Sequence, residues 1–172
     1  MRIGWAEDGK EFAERMERHA SWVTRNGILG VGNVQTNVSS NRAPDPVGAY
    51  PHAKRVGNLL FLSGIGPRQR GRKDIPGTTL DDAGNVLSYF MAKQCRCVFD
   101  NVRTILEDAG ARWEDIVDVT VFLTNMKADF PVFNKLYAEY FATNQPTRTT
   151  VEVTALPTPI AIELKVIAAV ST

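Results

Sequence analysis

Apolar residues recur along the chain with two periods, and the period divides it into elements. Over residues 8–23, "DGKEFAERMERHASWV", Phe12, Met16, His19 and Val23 repeat at helical spacing and predict an amphipathic helix. Gly, Asn, Ser and Pro then dominate "NGILGVGNVQTNVSSNRAPDP", which reads as a linker. "VGAYPHAKRVGNLLFLSGIGPR" gives two extended runs around Gly57-Asn58, a dipeptide suited to a tight hairpin turn, and the second run reads as buried on both faces. "PRQRGRKDIPGTTLDDAGNV" is a long polar connection.

Residues 91–109 predict the clearest helix, with Cys95, Val98, Phe99, Val102, Ile105, Leu106 and Ala109 on one stripe and Gly110 closing it. "WEDIVDVTVFLTNM" alternates as a strand, with Val117, Val119, Val121 and Leu123 on one side. Asp129 is placed to cap a second helix over "FPVFNKLYAEYFA", with Pro131 in its first turn. Phe130, Phe133, Tyr137, Tyr140 and Phe141 form that helix's apolar face. Two strands end the chain. In the first, Thr149, Val151 and Val153 oppose Arg148, Thr150 and Glu152; in the second, Ile160, Ile162, Leu164, Val166, Ala168 and Val170 oppose Ala161, Glu163, Lys165, Ile167 and Ala169. Arg148 and Glu163 are therefore both expected off the main core face. The order implies an α+β fold, a mostly antiparallel mixed sheet with two helices on one face. The mixed second face suits a covering partner subunit. The expected organisation is an N-terminal extension over 1–45 and a main domain over 46–172.

Composition narrows the chemistry. The chain has 172 residues and a formal net charge of +1, so no field favours nucleic acid or an anionic membrane. No run approaches the roughly 18 apolar residues of a membrane span. The acidic start "MRIGWAEDGKEF" does not match a secretory signal, and the expected location is the cytoplasm. Cys95 and Cys97 are too few and too close for a disulfide framework or a zinc site, and His19 and His52 are the only histidines. Neither a metal nor a Ser-His-Asp triad is expected, which leaves Arg, Glu, hydroxyls, backbone and water.

Four stretches, "PVGAYPHAKRVGNLLFLSG", "NVRTILEDAGARWEDIVDVTVFLTNM", "FNKLYAEYF" and "PTRTTVEVTALPTPIAIELKVIA", resemble the Rid/YjgF family of enamine and imine deaminases, in the family's order from about residue 46 to 170. Within it, the long loop and "LFLSGIGPRQRG" are most similar to the branch of 2-aminomuconate deaminases. The resemblance implies a YjgF/chorismate-mutase-like fold and a homotrimer with active sites between subunits. It implies that Arg148 binds the substrate carboxylate and that Glu163 holds or activates the attacking water. Tyr50, Ser63 and Asn134 match recurrent site-lining positions. Thr150 stands where many members carry Cys, a departure from the 2-aminoacrylate branch. A small-molecule substrate and no cofactor are implied.

The residue types suit that chemistry. An enamino acid protonated on carbon becomes an imine, which water attacks with release of ammonia. An arginine fork matches a carboxylate, and a carboxyl group can move the protons. Of the basic run "PRQRGRK", Arg68 is the candidate to meet a second carboxylate, as a six-carbon dicarboxylate such as 2-aminomuconate would require. The competing readings are a broad-specificity imine deaminase, a non-catalytic trimer that binds small carboxylates, and an interaction or chaperone-like protein.

Overall fold

The computed structural model describes residues 35–170, so the predicted helix over 8–23 lies outside the described residues. Among the described residues the main sheet has six strands: β1 (Gln35–Val38), β2 (Ala53–Val56), β3 (Leu59–Leu62), β6 (Ile116–Leu123), β7 (Thr147–Glu152) and β8 (Ile162–Ala169), in the order β1-β2-β3-β8-β6-β7. All neighbours are antiparallel except β6 and β7. That parallel pair requires a crossover, supplied by helix α2 (Met126–Tyr140). Helix α1 (Met91–Asp108) packs beside α2 and against β8. The fold is α+β.

The β8 alternation holds: Ile162, Leu164, Val166 and Ala168 are buried under the helices, with Leu60, Leu62, Val119, Val121 and Leu123 on the same face. Phe99 of α1 centres an aromatic cluster, edge-on to Trp113 at 6.1 Å and to Phe141 at 6.0 Å. Gly57, at φ 60°, makes the tight β2–β3 turn that the Gly57-Asn58 pair predicts.

Several expectations need correction. The stretch read as a linker contains β1, which pairs with β2 through Gln35↔Val56 to Val38↔Ala53. The polar connection contains a separate hairpin, β4 (Thr78–Leu80) and β5 (Val86–Tyr89). Its turn is built by Asp81, whose Oδ1 accepts from the Asn85 N–H at 2.7 Å and the Ala83 N–H at 3.0 Å. The second extended run is buried on one face only, because Leu59 and Phe61 point away from the helices and stay partly exposed. Val117 is exposed as well, since a bulge between Ile116 and Asp118 shifts the register there. Asn125, not Asp129, caps α2, accepting from the Ala128 N–H at 3.1 Å. The helix thus starts earlier than expected and carries Pro131 inside it. Asp129 is instead buried, accepting from the Tyr89 hydroxyl at 2.7 Å and tying the hairpin to α2.

Candidate functional site

The predicted site residues fall into two groups on opposite faces of the sheet. Glu163 pairs with Phe122 on the sheet face opposite α1 and α2. Arg148 pairs with Val119, and Thr150 with Val121, so both lie on the helix-covered face. The expectation that Arg148 lies off the core face is therefore wrong. The alternation of β7 misleads because this is an edge strand: Thr149 and Val151 are the exposed set, and an arginine takes a core-side position by resting its guanidinium on rings.

Those rings belong to α2. The Arg148 guanidinium carbon lies 4.5 Å from the Tyr137 ring centre, 5.6 Å from Phe133 and 5.7 Å from Phe130. Helical spacing puts the three rings on one face, and cation–π attraction holds the guanidinium against them. Arg148 Nη1 donates to Asn134 Oδ1 at 3.0 Å, so these two predicted residues do meet. An open cleft of about 560 Å³ adjoins them, lined by Met126, Lys127, Phe130, Pro131, Arg148 and Thr150. Two hydroxyls of this group, Thr150 Oγ1 and Tyr137 Oη, are buried with no hydrogen-bond partner among the described residues. Burial pushes the Tyr137 hydroxyl up to about 12, against the opposing pull of Arg148. Glu152, in the same β7 set, accepts from the Met126 N–H at 2.5 Å at the start of α2.

The second group gathers where β3 runs into the following loop. Ile65 bridges Leu164 by paired backbone bonds of 2.8 and 2.9 Å, which sets Gly64 against Glu163. A methyl group at Gly64 would lie 2.3 Å from Glu163 Oε1, so only glycine admits the carboxylate here. Burial raises the Glu163 pKa. Tyr50, Gly64, Arg68 and Glu163 line one pocket of about 110 Å³. Ser63 holds the tyrosine's loop, its Oγ donating to the Pro51 carbonyl at 2.6 Å. His52 is structural: buried, it accepts from the Ser40 N–H at Nδ1, 3.0 Å, and Nε2 lies 3.0 Å from the Pro44 carbonyl. Arg68 donates to the Asp45 carbonyl. The rest of the basic run is largely paired, Arg70 with Asp45 and Arg72 with Asp74, both at 2.8 Å.

Sequence reasoning missed the residues that hold these pieces in place. Buried Gln94 donates to Thr78 Oγ1 and accepts from the Ala161 N–H, both at 2.8 Å, joining α1 to the hairpin and to the approach of β8. Asn101 Nδ2 donates to the Gly66 and Arg68 carbonyls at 2.9 and 2.8 Å. A polar residue on the buried stripe of a helix is the signal that could have found Gln94. Both cysteines are buried, and burial pushes Cys95 up to about 12 and Cys97 to about 11, which disfavours the thiolate form.

A family model described as "Endoribonuclease L-PSP" matches residues 40–170. A RutC family protein of Pyrococcus horikoshii is 37% identical over 131 residues, 76% of this chain and 94% of its own length. The crystal structure of the YjgF gene product of E. coli superposes with a TM-score of 0.67 at 31% identity, covering 78% of this chain and 98% of that one. The chain belongs to the Rid/YjgF family. Among its family relatives is a protein of Dermatophagoides farinae named 2-iminobutanoate/2-iminopropanoate deaminase, 33% identical over 74% of this chain and 91% of its own. The matched region of this Rid/YjgF chain contains both residue groups.

Proposed function

We propose that this chain is a deaminase that hydrolyses a 2-enamino or 2-imino acid to the 2-oxo acid and ammonia. Its leading substrate is 2-aminomuconate, and it works in the cytoplasm as a homotrimer with sites between subunits. The observation that carries the reading is the division of the site. One face holds an arginine without a carboxylate partner among the described residues, braced on rings beside an open cleft. The other face holds a half-buried carboxyl with a raised pKa. Each is half of a site for a small carboxylate, and a second copy would complete it.

In this reading Arg148 takes the substrate carboxylate in its fork, with Asn134 holding the guanidinium in orientation. Glu163 removes a proton from the attacking water and returns one to the departing amine. A pKa raised by burial makes it both a stronger base and a usable acid nearer neutrality. The imine carbon is already electrophilic, so the proposed reaction calls on no cofactor. Two relatives are named as deaminases of imines or reactive intermediates, and a solved E. coli relative, TdcF, holds serine, a small amino acid with a carboxylate. Arg68, beside Glu163, is the sequence-based candidate for the second carboxylate of 2-aminomuconate.

The test is ammonia release from freshly generated 2-aminomuconate and from 2-aminoacrylate, with the enzyme-free rate subtracted. Preference for the first supports the proposal. Equal turnover makes the protein a general imine deaminase, and turnover of neither refutes a deaminase. The shared site is tested by co-expressing Arg148→Ala with Glu163→Gln. Each variant alone is expected to be inactive, while random mixing restores about a quarter of the sites if they lie between copies. No recovery would refute a site that Arg148 and Glu163 of different copies share.

A further inference from the structure

Two cations open on the cleft beside α2. Lys127, in the helix's first turn, lines it together with Arg148, and Phe130 and Pro131 form an apolar wall. Among the described residues neither cation has a carboxylate within ion-pair distance. The carboxylate at this end of α2, Glu152, is held by the Met126 N–H. The buried hydroxyl of Thr150, which lines the same cleft, has no hydrogen-bond partner among the described residues. Two like charges sharing a cleft repel each other, and a ligand with one anionic group cannot neutralise both. A ligand with a carboxylate at each end can, and its carbon chain would lie on the apolar wall.

We infer that Lys127 binds the second carboxylate of a dicarboxylic substrate whose first carboxylate sits on Arg148. This rests on the deaminase reading, which gives Arg148 the carboxylate next to the reacting carbon. It moves the specificity determinant away from Arg68, which already donates to the Asp45 carbonyl and lies in the Glu163 pocket on the other side of the sheet. Both carboxylates are then read by one protomer, and only the water-activating group comes from the other face.

The experiment is calorimetric binding of adipate and of hexanoate, dicarboxylic and monocarboxylic probes of equal chain length, to the full chain. Lys127→Gln should weaken adipate by about fivefold, the upper range for a partly exposed ion pair, with hexanoate unchanged. Arg68→Gln should change neither. An unchanged adipate affinity in Lys127→Gln, an equal loss for both probes, or no adipate binding by the unaltered protein would overturn the inference. A selective adipate loss in Arg68→Gln would also overturn it, by moving the second anion site to the Glu163 group. Binding is read without turnover. A protein that binds adipate through Lys127 but releases no ammonia therefore keeps this assignment and loses the deaminase.

Discussion

Replacing Gly64 with alanine tests whether the position of the Glu163 carboxylate controls the reaction. The new methyl group would stand 2.3 Å from Oε1 and 2.8 Å from Cδ of Glu163. Restoring ordinary contact moves the carboxylate back by roughly 1 Å, and a displacement of about that size costs on the order of a hundredfold in rate. Folding should suffer little. The clashing atoms are the free end of a flexible side chain on the face opposite α1 and α2, so the expected stability loss is below about 1 kcal/mol. The assay pairs steady-state ammonia release with thermal unfolding: kcat should fall about a hundredfold while Tm moves by only a few degrees. Glu163→Asp withdraws the carboxylate by one methylene. It should therefore cost less activity in the Gly64→Ala background than in the parent, a non-additivity expected of residues in contact. Full activity in Gly64→Ala would refute the argument, because the carboxylate would then work from either position. A collapse of Tm would also refute it, by showing that the glycine serves packing instead.

Arg148→Lys keeps the charge but loses the planar fork and most of the ring contact. kcat/KM should fall by about ten- to a hundredfold, the range of a lost charge-assisted hydrogen bond, with Tm nearly unchanged; parental kinetics would show that charge alone suffices. Asp129→Asn should flatten part of the stability profile against pH. Burial raises the Asp129 pKa, so the native state binds more protons than the unfolded chain between the ordinary carboxylate value and the raised one. Its contribution is fully present below the ordinary value and is lost as pH rises through the raised value. Urea melts across that window should slope downward in the parent and less in the variant, and identical slopes would contradict the assignment.

The parts of the fold legible in the sequence are those where one physical rule acts alone. β8 alternates strictly because helices cover one of its faces, and α1 carries an apolar stripe interrupted only by Gln94. The Gly57-Asn58 turn is legible because φ of 60° suits glycine. β1 and the β4–β5 hairpin were not legible. β1 is a short polar edge strand fixed by its neighbour β2, and the hairpin is held from outside by Gln94 through Thr78 and by Asp129 through Tyr89. Such strands owe their existence to tertiary partners and carry little periodicity of their own.

Arg148 shows a deeper limit. Side-chain period 2 sorts residues into two sets but does not say which set meets the core when both are mixed. On β7 the set with Arg148, Thr150 and Glu152 is the more polar one, and the valines of the opposing set tip the choice the wrong way. The structure decides it through α2, whose Phe130, Phe133 and Tyr137 make a surface that a guanidinium fits better than a valine does. The consequence reaches function. Arg148 and Glu163 lie two strands apart on opposite faces, and β6 between them accounts for roughly 10 Å of lateral separation at the usual strand spacing. Rotamer changes cannot carry either group through a hydrogen-bonded sheet. A reaction that needs both groups at one carbon atom therefore needs two chains, and the opposed faces of the sheet become a reason for assembly.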